Sequence, residues 1–173
     1  MKTKVMLTLL ALVLSACAGL AQNGNAPARG NATATINGKQ VSINYGRPSL
    51  NGRDLLAQAK TGMVWRVGMN NATEITSAGD LVVGGTTLKA GKYSLWVRKT
   101  GDDTWSLAFH PKTGIWGKPE MTEGYAAEMP LKLDKASDSA DLLVIDLADK
   151  GNGNAEIKIH WGTAMLTGTF VVK

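Results

Sequence analysis

From Ala32 almost to the C-terminus the chain alternates apolar and polar side chains with a period of two. Val41, Ile43 and Tyr45 share one face of a run, with Ser42 and Asn44 opposite. Tyr93, Leu95 and Val97 repeat the pattern against Ser94, Trp96 and Arg98. Trp105, Leu107 and Phe109, then Leu143, Ile145 and Leu147, then Ile157, Ile159 and Trp161 do the same. Period two puts alternate side chains on opposite faces of an extended strand, so such a chain must fold as sheets with one covered face. Asn37-Gly38 and Gly84-Gly85 each separate two runs and mark tight hairpins. The runs are 32–36, 40–45, 64–68, 72–77, 81–83, 86–88, 92–99, 104–110, 142–147, 156–161 and 165–172. About ten short strands with frequent glycine turns predict an all-β fold, an antiparallel β-sandwich of jelly-roll-like form. One short helix is expected over 52–59, where Leu55, Leu56 and Ala59 line one side. The Gly/Pro-punctuated stretch 112–125 reads as a long loop.

Composition narrows the functional classes. The 173 residues are 44% hydrophobic and 19% charged, which fits one folded domain with a tail. A single Cys excludes an internal disulfide framework and a thiolate metal cluster, and two distant His argue against a histidine metal site. No metal and no cofactor are expected.

The N-terminus reads as an export signal. Lys2 and Lys4 form a positive region, and Val5 to Val13 is an apolar stretch too short to span a bilayer. Leu14-Ser15-Ala16-Cys17 follows and looks like a bacterial lipobox, with Cys17 as the acyl attachment point. The alternative is ordinary signal cleavage after Gly19-Leu20-Ala21, giving a soluble periplasmic or secreted protein. The expected organisation is a lipoprotein signal over 1–17, a flexible tether over 18–31 and a β-domain over 32–173. Acyl chains on Cys17 would make the membrane a partner without a transmembrane helix. Ala18, with no Asp after the Cys, favours the periplasmic face of the outer membrane or the cell surface.

Export also revises the charge. Of 19 basic and 14 acidic residues, Lys2 and Lys4 leave with the signal, so the formal +5 becomes 17 against 14, or +3. The excess is local: Arg29, Lys39, Arg47, Arg53, Lys60 and Arg66 face one acid, Asp54, in the N-terminal third. There is no basic run and no stacking signature, so nucleic acid is not an expected partner.

Templates for catalysis are missing. The chain has no Gly-x-Ser-x-Gly elbow, no phosphate-binding glycine loop and no paired-His motif. Asp149 to Asn154 has calcium-loop composition, but its glycines are misplaced, and a polar hairpin turn is the better reading. His110 and His160 lie on polar faces of their strands and read as surface or hydrogen-bonding residues. Glu120, Glu123 and Glu128 lie in or beside the long loop, and their spacing does not establish the fixed separation a glycosidase pair requires.

The most informative stretch is Asn44-Tyr45-Gly46-Arg47-Pro48-Ser49-Leu50-Asn51-Gly52-Arg53, continued by Val64-Trp65-Arg66-Val67-Gly68-Met69-Asn70-Asn71-Ala72-Thr73-Glu74. It holds three of the five Arg beside aromatic residues. Guanidinium groups next to rings suit bidentate capture of a carboxylate or phosphate, or stacking on a ring. The candidate ligand-binding set is Tyr45, Arg47, Arg53, Trp65, Arg66, Asn70 and Glu74. The structural alternative pairs Arg47 and Arg66 with Glu74 or with loop carbonyls and buries Trp65 in the core.

These residues also carry a resemblance. Tyr45-x-Arg47-Pro48, Gly52-Arg53, Val64-Trp65-Arg66-x-Gly68-x-Asn70-x-Ala72-Thr73, Gly91-x-Tyr93-Ser94-Leu95 and Trp116-Gly117 resemble the bacterial family known as domain of unknown function 2911, over about residues 32–173. The resemblance implies an exported protein of Bacteroidetes-like bacteria and leaves the reaction open. Asn71 stands where the family usually has Glu, and Lys60-Thr61-Gly62-Met63 stands where it usually has Pro-Tyr-Gly.

Two functions compete. The favoured one is a non-enzymatic, lipid-anchored envelope module that binds a small anionic or glycan ligand or an envelope protein, or has a structural role. The other is a hydrolase acting on envelope material, with Glu74 or His110 as acid/base near the Arg47/Arg53/Arg66 cluster.

Overall fold

A computed structural model describes residues 29–116 and 124–173. Cys17, the lipobox and the tether up to residue 28 lie outside these residues, as do Glu120 and Glu123. Ten strands and one short helix make up the fold: β1 Arg29–Ile36, β2 Lys39–Gly46, α1 Leu55–Gln58, β3 Val64–Arg66, β4 Glu74–Ser77, β5 Leu81–Val83, β6 Thr86–Leu88, β7 Gly91–Lys99, β8 Trp105–His110, β9 Ala127–Gly151 and β10 Asn154–Val172. Every pairing is antiparallel. They form one open sheet in the order β1-β2-β4-β7-β8-β9-β10-β5-β6, with β3 also paired to β7.

The sheet folds over on itself. β1 and β2 pack against β9 although they lie far from it along the sheet order. The segment after β2 stitches the two together. Leu50 N donates to Asp141 O at 2.6 Å and Leu143 N donates to Pro48 O at 3.1 Å, around a bridge between Ser49 and Leu142. The enclosed faces carry the expected alternating residues: Ile36, Val41, Ile43, Ile75, Leu95, Val97, Leu107, Leu143, Ile145 and Ile157 are all buried in one core.

The hairpins form where the sequence placed them. Asn37-Gly38 joins β1 to β2 with φ of 51° and 70°, the left-handed pair that matches strand twist. Asn152-Gly153, with φ of 53° and 77°, closes β9 to β10. This is the polar stretch with calcium-loop composition, and it is a turn.

Three features differ from expectation. β1 begins at Arg29, three residues inside the expected tether. The helix is a single turn, Leu55–Gln58, capped by the Asp54 carboxylate accepting from Ala57 N. β9 and β10 are long, at 25 and 19 residues. Residues 127–141 are not among the expected strands, although Ala127, Met129, Leu131 and Leu133 alternate with Glu128, Pro130 and Lys132; the alternation fades only at Lys135-Ala136-Ser137-Asp138-Ser139. The ladder to β8 on one side and β10 on the other extends them regardless.

The polar face of β7 is partly covered too. Trp96 is fully buried there with Ala72 and Ala108, under Ile115 and Tyr125. Part of the 112–125 stretch therefore lies over the sheet and forms a second, smaller core.

Candidate functional site

Three local devices hold the loop after β3. Thr73, fully buried, donates its hydroxyl to Val67 O. Ala72 N donates to Ile115 O at 2.9 Å, and Leu95 N donates to Thr73 O at 2.8 Å. At the end of β2, Gly46 lies so close that a Cβ there would stand 2.3 Å from Met69 O. Residues 67–73 are therefore clamped between β2, β7 and the 112–116 segment.

The clamped loop forms one wall of a cavity of about 540 Å³, within the range of small-molecule sites. Its other walls are α1 (Leu55, Leu56, Gln58), β3 (Val64 to Arg66), the start of β8 (Trp105) and β10 (Ile159, Trp161, Ala164, Leu166). A smaller recess of about 200 Å³ adjoins it and shares Arg53, Leu55, Leu56, Trp161 and Ala164. The recess lies against Gly162 to Ala164 and Ser139, where the β9–β10 register shifts. Such irregularities re-aim side chains next to sites.

The lining is mostly apolar. Trp65 and Trp161 stack with centroids 5.5 Å apart and planes at 9°. The Arg53 guanidinium lies 5.1 Å from the Trp161 ring centre, so that ring is flanked by an indole and a cation. The Trp161 indole N–H donates to Asp141 O at 3.1 Å. Arg53 donates through Nε to Leu50 O (2.9 Å) and through Nη2 to Ser49 O (2.7 Å). Arg66 donates through Nη1 to Asn70 O at 2.6 Å and lies 5.5 Å from the exposed Trp116 ring. Asn70 holds φ of 60°, which turns its carbonyl to that guanidinium. Among the described lining residues there are two guanidiniums and no carboxylate or imidazole. The Trp105 indole N–H is buried and has no partner among the described residues.

The seven candidate residues divide into two groups. Arg53, Trp65, Arg66 and Asn70 line the cavity together. Tyr45 and Arg47 lie apart as braces between β2 and β9: the Tyr45 hydroxyl donates to Ile145 O at 3.4 Å and Arg47 Nε to Leu143 O at 3.3 Å. Glu74 is on the outer face, accepting from Gly114 N at 2.6 Å and pairing with Lys92 at 3.4 Å. Its partners are thus neither Arg47 nor Arg66. His110 shares that face, since Glu74 and His110 both stand opposite Ser94 on flanking strands. His110 Nδ1 accepts from Lys112 N at 2.9 Å. Neither lines the cavity.

Sequence reasoning missed Trp105, Trp161, Met63, Met69 and the α1 leucines as lining residues. Trp161 falls on the core face of its strand, as the alternation predicts, but no local signal says that this face ends at a cavity. Five Trp among so few other aromatics was the available hint.

Fold and cavity together define an all-β protein with a ligand-sized, mostly apolar pocket rimmed by arginines. Residues 27–170 match the family model described as "Protein of unknown function (DUF2911)", and the chain belongs to that family. Comparison with curated proteins and with solved structures gave no match. Several residues of the resemblance have structural work: Thr73 ties the loop, Ala72 makes room for Trp96, and Tyr45 and Arg47 brace β9.

Proposed function

We propose that this is an exported, lipid-anchored envelope protein that binds a small organic ligand in the cavity between α1, the 67–70 loop and β10. The observation that carries the binding half is the cavity itself: Trp65, Trp105 and Trp161 contribute to its walls, and Arg53 and Arg66 contribute cations. Pockets of this size and polarity, with few polar groups, are the usual form of small-molecule sites. Lys2, Lys4, the apolar 5–13 stretch and Leu14-Ser15-Ala16-Cys17 support the export and anchoring half.

Thermal denaturation against a panel of fatty acids, aromatic acids, sugar phosphates and oligosaccharides tests binding. At least one class raises Tm by several degrees in the wild type and not in Trp161→Ala, while no shift with any class contradicts the reading. Labelling of growing cells with an alkyne fatty acid tests the anchor. Wild type takes up label and Cys17→Ala does not; an unlabelled wild type would contradict lipidation.

A further inference from the structure

The cavity's cations lack counter-charges. No carboxylate among the described residues pairs with Arg53 or Arg66, although the charged side chains of Asp80, Glu74, Glu128, Asp134 and Glu156 are all in ion pairs elsewhere. Arg53 and Arg66 sit at the solvent-facing rim of an apolar cavity whose own lining holds no carboxylate, while Asp54 lines the adjoining recess with Arg53, so the rim carries a positive excess.

The unused donors have a definite shape. Arg66 spends Nη1 on Asn70 O, so its Nε and Nη2 remain without a partner among the described residues. That edge is the side-on fork that matches the two oxygens of a carboxylate. Arg53 spends Nε and Nη2 on Ser49 and Leu50 carbonyls, leaving Nη1. Two parallel donors and one more suit a singly charged carboxylate better than a phosphate dianion. Beyond the arginines the walls are Leu55, Leu56, Met63, Met69, Ile159 and Leu166. Flexible Met and Leu side chains adapt to a chain-like apolar body.

We propose that the ligand is a carboxylate with an apolar chain: Arg66 binds the carboxylate through its free edge, Arg53 adds a second cation to the same cavity, and the apolar walls take the chain. This rests on the reading of the cavity as a ligand site.

Isothermal titration of the purified protein separates the two. The probes are dodecanoate, dodecanol, maltohexaose and inorganic phosphate. Dodecanoate is expected to bind at least tenfold more tightly than dodecanol, with affinity falling roughly fourfold per methylene removed. Arg66→Gln weakens dodecanoate at least tenfold and leaves dodecanol unchanged, and Arg66→Lys falls between. Dodecanol matching dodecanoate, no effect of Arg66→Gln, preference for maltohexaose, or phosphate binding as tightly as dodecanoate would each overturn the proposal while leaving a ligand site in place. Binding of no probe at all would remove the site and the proposal together.

Discussion

At the residue scale, Thr73 shows how one side chain can set a site it never touches. Its hydroxyl donates to Val67 O in a fully buried position and closes the loop that carries Gly68, Met69 and Asn70 along the cavity. Thr73→Val keeps the shape and leaves that carbonyl unpaired. The expected loss is about 1–3 kcal/mol in urea denaturation, with Thr73→Ser losing less. Val within a few tenths of wild type would show that the contact does not hold the loop. Tyr45 and Arg47 carry the same lesson in reverse. Their residue types pointed to ligand chemistry, yet their polar ends meet Ile145 and Leu143 carbonyls. A guanidinium or phenol reads alike in a sequence whether its acceptor is a ligand or a strand a hundred residues away.

At the scale of elements, the alternation in β2, β7, β8 and the core half of β10 was legible because each of these strands has one dry face. Its limit shows at residues 132–141 of β9, where Lys132, Lys135, Ser137, Asp138, Ser139 and Asp141 are exposed and backbone pairing alone defines the strand. Trp96 marks a second limit: it sits on the nominally polar face and is buried because a later segment folds over it. The turns have their own electrostatics. Asp80, just before β5, accepts from Ala90 N at 2.8 Å and from Lys89 Nζ at 3.0 Å, tying this turn to the one between β6 and β7. The backbone hydrogen bond from Ala90, then the one from Lys89, hold its carboxyl below the ordinary carboxylate value. The unfolded chain therefore takes up this proton first as pH falls. The stability Asp80 contributes is present above about pH 4 and is lost as pH drops toward its folded-state value. A plot of Tm against pH should fall less steeply on the acid side in Asp80→Asn than in wild type. Parallel acid limbs would show that Asp80 plays no part in that loss.

At the scale of the whole molecule, the all-β antiparallel class was readable, since period-two patterning and Asn-Gly turns are local signals. The cavity was readable only in part. Arg53, Trp65, Arg66 and Asn70 lie close in sequence, and their shared location followed from that. Trp105 joins them because β8 and β3 both pair with β7, and Trp161 because the sheet folds over and brings β10 to β3, juxtapositions that no short window contains. The result puts three of the five tryptophans on one cavity, one (Trp96) in the separate outer core and one (Trp116) at the surface beside Arg66. This distribution makes the central claim measurable by following the five indole N–H resonances in a ¹H–¹⁵N spectrum, assigned with single Trp→Phe variants, while dodecanoate is added. A cavity ligand moves the signals of Trp65, Trp105 and Trp161 and leaves Trp96, whose N–H donates to Ser94 Oγ, in place. Shifts confined to Trp96 and Trp116, or none at saturating dodecanoate, would contradict it.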